Sequence, residues 1–93
     1  MAKQKEERKE KILRFVNEFI NEKGYSPSIR EIGANIGIGS TSLVDYYLSQ
    51  LQNDGFITTA DKHVSRSVRL TLAGYEAIGV NYFDTPAGIE QSR

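Results

Sequence analysis

The stretch SIREIGANIGIGSTSLVDYYLSQL, residues 28–51, sets two apolar-striped segments on either side of a Gly37-Ile38-Gly39-Ser40 turn. The turn is too short for a linker and too rich in glycine to continue a helix. Ahead of it, Ser28 followed by Glu31 reads as a capping box, opening a helix through Ile36 with Ile29, Ile32 and Ile36 on one side. Beyond it, Ser40 or Thr41 caps a further helix, whose Val44, Tyr47, Leu48 and Leu51 carry the stripe until Asp54-Gly55 ends it. Gly33 lacks a Cβ and allows a close crossing of the two helices, and Gly37 supplies the positive φ of a sharp exit. Together the two segments form a scaffold that presents one helix.

Upstream, apolar residues at Ile12, Leu13, Phe15, Val16, Phe19 and Ile20 predict a helix over residues 6–23 that buries one wide face and closes at Gly24. Tyr25-Ser26-Pro27-Ser28 turns the chain into the next helix. Downstream, FITTA (56–60) and VSRSVRL (64–70) are rich in β-branched residues and predict a two-stranded hairpin. Thr71 caps a short fourth helix over LAGYEAIG (72–79), and residues 80–93 lack a sustained period, which predicts a tail that is flexible or engaged in pairing. The domain is expected to span 1–79. Three helices and a hairpin in this order describe a mainly α fold, the winged helix-turn-helix, in which the helix after the turn stands clear of the core. Its exposed side fits the major groove of DNA, about 12 Å wide.

Composition narrows the chemistry without announcing a partner. Twelve Lys and Arg balance twelve Asp and Glu over 93 residues, so no bulk positive field points to nucleic acid, and the positions of the charges must carry that reading. Cysteine is absent, which removes disulfides, thiol chemistry and thiolate zinc sites and fits a reducing compartment. MAKQKEERKEK precedes no apolar run, so neither export nor membrane spanning is expected, and a cytoplasmic protein is. A single histidine, His63, builds no metal site, and no Gly-rich phosphate loop or carboxylate pair marks a catalytic pocket. Neither an enzyme nor a cofactor is expected.

Residues 12–57, together with Ser65-Arg66-Ser67-Val68-Arg69-Leu70, resemble the N-terminal DNA-binding domain of LexA-type SOS repressors. The resemblance rests on Gly24-Tyr25-Ser26-Pro27-Ser28, the pair Glu31-Ile32, Leu48 and Leu51 late in the third helix, the Gly55-Phe56 exit and the Ser-Arg-x-x-Arg-Leu strand. It implies a homodimer bound to a palindromic operator, with bases read by the start of the helix over residues 40–53 and backbone touched by the wing. Carried over residue by residue, the base-reading positions fall on Ser40, Ser42, Leu43, Asp45 and Tyr46. Backbone contacts fall on Arg30, Thr41, Lys62, His63, Arg66 and Arg69. The reading face has no Arg or Lys, so the commonest guanine contact is missing from it, while Asp45 could accept from a cytosine amino group. Positive charge must come from elsewhere: from Lys3, Lys5, Arg8, Lys9, Lys11 and Arg14, from Arg30, and from the wing cations. The family's self-cleaving peptidase domain has no counterpart in these residues, so no self-cleavage is expected. Ala87-Gly88 lies about where the family's cleavage bond falls, although the same dipeptide recurs at Ala73-Gly74.

Several of these residues have a plainer reading. The apolar stripes are core. The N-terminal charge run mixes Glu6, Glu7 and Glu10 among its bases, as a solvated helix end would. Arg66 and Arg69 could lock the wing strands by ion pairs, and Ser40 could be a helix cap that also faces a phosphate. Leu72, Tyr75, Ile78, Val80, Tyr82 and Phe83 either pair two chains or, for the first three, cover the open side of the first helix. The competing function is a winged helix that docks on proteins, for which a neutral chain with Asp45 on the presented helix is suited.

Overall fold

The computed structural model describes residues 2–59, 67–81 and 83. Four helices and two strands follow in the order α1 (Ala2–Lys23), α2 (Ile29–Ile36), α3 (Thr41–Asn53), β1 (Ile57–Thr59), β2 (Val68–Leu70) and α4 (Leu72–Ala77). The first helix begins earlier than its apolar stripe, because the Lys, Gln and Glu residues ahead of that stripe are good helix formers in their own right. Gly24 at φ 84° ends it. A capping box opens α2 as expected: Glu31 N–H donates to Ser28 Oγ at 3.1 Å and Ser28 N–H to Glu31 Oε1 at 2.9 Å. The hairpin strands are shorter than their β-rich stretches, with Ile57 opposite Leu70, Thr58 opposite Arg69 and Thr59 opposite Val68. The expected strand residue Val64 lies outside the described residues.

One core unites all these elements. Ile12, Leu13 and Val16 of α1 meet Ile32 of α2, the stripe Val44, Tyr47, Leu48 and Leu51 of α3, the inward strand residues Ile57, Val68 and Leu70, and Tyr75 and Ile78. Phe19, Ile29 and Ile36, expected in the core, are only half-buried; Ile29 and Ile36 are the first and last residues of α2. Of the two readings open for the last apolar residues, burial of two of them fits the one in which they cover the first helix. Tyr75 and Ile78 are inside the domain, where α4 packs on α1 and β2, and Val80 packs partly against them. Of the six residues considered for pairing, Leu72 (56% exposed) and Phe83 (60%) remain open, and Tyr82 lies outside the described residues.

A polar residue anchors the wing. Ser26, fully buried in the turn between α1 and α2, accepts the Val68 N–H at 3.1 Å and donates to the Pro27 carbonyl at 3.0 Å. The turn that leads into α2 thus also holds the strand that returns from the hairpin.

Candidate nucleic-acid interface

Helix α2 ends on Gly37 at φ 76°, whose N–H reaches back to the Gly33 carbonyl. That carbonyl also accepts the Ile38 N–H at 2.8 Å. A Cβ at Gly33 would stand 2.8 Å from the Ile38 carbonyl oxygen and 3.1 Å from Val44 Cγ2, so the absence of a side chain is what lets the turn and α3 close on α2. Ser40 then caps α3, accepting the Leu43 N–H at 3.3 Å. Ser40, rather than Thr41, is the cap.

The third helix has two faces of opposite character. Val44, Tyr47, Leu48 and Leu51 are buried, while Thr41, Ser42, Asp45, Tyr46, Ser49 and Gln52 are exposed. Ser42, Asp45, Tyr46 and Ser49 follow the i, i+3, i+4, i+7 spacing and therefore share one outward stripe. Ser49 was not singled out from the sequence, although its place seven residues after Ser42 was the available signal. Leu43 is half-buried and packs against the core, so only its outer edge belongs to the presented surface. The Tyr46 ring, 42% exposed, meets the buried Tyr47 ring edge-on at 5.6 Å between centroids.

Of the expected cations, some are exposed and others are paired within the domain. Arg30, exposed on the first turn of α2, and Thr41 line the same groove between α2 and α3, floored by Gly33, Ile38 and Val44. Arg69 is exposed on β2 opposite Thr58, on the side of the hairpin facing away from the core. Lys62, His63 and Arg66, the expected wing contacts, lie outside the described residues, as does Ala87-Gly88. On α1, Arg8 donates to the Tyr47 hydroxyl at 3.1 Å, Lys9 pairs with Asp54 at 3.4 Å and Arg14 with Glu10 at 3.2 Å. Among the described residues no group of three His, Cys, Asp or Glu could hold a metal, and no helix is long and apolar enough to cross a membrane.

A helix cradled by a glycine turn, presenting a polar stripe and followed by a hairpin, is the geometry of a winged helix-turn-helix. Residues 3–67 match the model of the LexA DNA binding domain. The chain belongs to the LexA DNA-binding domain family. It is similar to the LexA repressor of Lactiplantibacillus plantarum, with 42% identity over 80 residues, which cover 86% of this chain and 38% of that protein. The LexA repressor of Oenococcus oeni is 42% identical over 69 residues, covering 74% of this chain and 32% of its own length. That of Sorangium cellulosum is 41% identical over 63 residues, 68% of this chain and 27% of its own. The chain therefore spans between about a quarter and two fifths of the curated relatives it matches, and what it shares with the family is the DNA-binding part.

Proposed function

We propose that this chain reads duplex DNA in a sequence-dependent way as part of a LexA-like transcriptional repressor, binding a two-fold symmetric operator as a homodimer. The observation that carries the reading is the two-faced third helix, whose buried stripe holds Ser42, Asp45, Tyr46 and Ser49 outward in one row. In this reading Ser40, Ser42, Asp45, Tyr46 and the outer edge of Leu43 face base edges. Thr41 and Arg30, which share a groove, face the flanking phosphates together with Arg69 and the wing residues Lys62, His63 and Arg66. Pairing follows from an energetic shortfall. A reading helix with no Arg or Lys makes few strong base contacts, whereas specific sites are bound at about 10⁻⁸ to 10⁻¹¹ M, a range that two linked half-sites reach more readily than one.

Selection from a random duplex pool tests the whole reading: a two-fold symmetric enriched site is expected. The alternative, a protein-docking winged helix, draws on the same absence of Lys and Arg from Glu31 through Asp61, and it requires only weak binding that disappears with modest salt. Asp45→Ala, selected in parallel, is expected to enrich a different base at the position Asp45 faces, because one good base contact is worth about 1 to 3 kcal/mol. An identical site for both proteins would remove Asp45 from the reading set.

The wing contributes differently. Exchanging Lys62 and Arg66 for Gln is expected to weaken binding to all duplexes alike and to flatten the logarithmic salt dependence by about 0.9 for each phosphate that is no longer neutralised. An unchanged slope would make both residues structural.

A further inference from the structure

We infer that Arg8, on the first helix, is a positioning residue for the reading helix and not a phosphate ligand, acting through Tyr47 on Tyr46; the inference rests on the DNA-reading function proposed above. Helix α1 packs closely on α2, β2 and α4, whereas the close backbone neighbours of α3 are α2 and β1. Among the described residues, two long side chains of α1 make polar links to the α3 segment. Arg8 Nη1 donates to the Tyr47 hydroxyl at 3.1 Å, with its guanidinium 6.0 Å from the centre of the same ring, and Lys9 Nζ meets Asp54 Oδ2 at 3.4 Å. Tyr47 lies mid-helix and Asp54 caps the helix end, about two turns further along. Two anchors so spaced resist both rotation of α3 about its axis and tilting of its far end. The anchors are unequal: Asp54 is exposed, and an exposed pair contributes little, so the weight falls on the partly buried Arg8–Tyr47 bond. Its effect passes outward in one step, because Tyr47 is buried and its ring supports the edge of the Tyr46 ring at 5.6 Å.

Two variants separate positioning from charge. Tyr47→Phe deletes the hydroxyl and leaves every charge in place, while Arg8→Met removes the cation and keeps the length of the stem. Positioning requires that each weaken binding to the selected duplex by about fivefold, the size of one hydrogen bond of ordinary net strength. It also requires that the double variant be no weaker than either alone, and that a scrambled duplex be bound as by wild type with an unchanged salt slope. A phosphate contact gives the opposite pattern: Arg8→Met weakens all duplexes and flattens the slope, Tyr47→Phe does nothing, and the inference is overturned. If wild type selects no duplex, it is the proposed function that fails. The coupling is then still tested without DNA by the Tyr46 ring resonances of the free protein: displacement in both variants supports it, and unchanged resonances overturn it.

Discussion

Gly74→Ala is expected to lower the melting midpoint by roughly 15 °C, equivalent to about 3 kcal/mol for a domain of this size. A Cβ at this position overlaps the Phe56 carbonyl oxygen and comes within 3.3 Å of the Leu70 Cβ. Neither neighbour can yield cheaply. The Phe56 carbonyl accepts the Thr71 N–H at 3.0 Å, and the Thr71 hydroxyl donates to the Gly55 carbonyl while accepting the Gly74 N–H at 3.1 Å. The start of α4 is thereby joined to the chain leaving α3, and room for a methyl group exists only if α4 lifts away. Lifting it exposes Tyr75 and Ile78, now 6% and 4% accessible. The sign is diagnostic, since at an open helical position the same substitution would stabilise by up to about 1 kcal/mol. A thermal melt with an unchanged or raised midpoint would show that α4 does not approach Phe56 as described.

Leu51→Ala should cost about 3 kcal/mol, within the range for removing a fully buried leucine, and leave the base preference of the folded protein as it was. Leu51 has no accessible surface and belongs to the core together with the rest of the α3 stripe. Truncating it leaves a cavity behind the helix while the outward row from Ser42 to Ser49 keeps its side chains. Asp45→Ala should do the reverse, leaving stability within about 0.5 kcal/mol, as expected for an exposed position, while altering the preferred site. Denaturant melts paired with duplex selection, on both variants, check the separation. A changed site for Leu51→Ala or a large stability loss for Asp45→Ala would mean that scaffold and reader are not separable in this helix.

The parts of this molecule that were legible in its sequence are those that leave a local signature. Ser28 with Glu31, the Gly37 exit, the Ser40 cap, Thr71 ahead of α4 and the apolar stripe of α3 each follow from residues a few positions apart, and each stands where the spacing put it. What escaped notice depends on contacts between distant residues. Ser26 looks like an ordinary turn residue, and its burial is explained only by the N–H of Val68, 42 residues later. Gly74 passed as half of a common dipeptide because nothing nearby shows that Phe56 will lie against it. Arg8 and Lys9 read as free cations since their partners, Tyr47 and Asp54, come from another helix. The family resemblance puts Leu43 among the base-reading positions, yet it lies at the border between the two faces, where neighbouring packing decides. Composition was silent on the site for a similar reason: a neutral total conceals that α3 carries no Lys or Arg while Arg30 and Arg69 lie exposed elsewhere.

The bond between Ser26 and the Val68 N–H also sets a timetable for the chain as it is made. At about 5 to 20 residues per second, the ribosome needs roughly two to eight seconds to add the 42 residues that separate the two partners. By about the last third of that interval the first three helices are complete in sequence, yet Val68, Leu70, Tyr75 and Ile78 have not arrived to cover Ile12, Leu13 and Val16. Newborn copies therefore carry a partly uncovered apolar α1 until the second strand of the hairpin and α4 emerge from the exit tunnel. It is in this interval, and not in the finished domain, that a chaperone would find its binding surface.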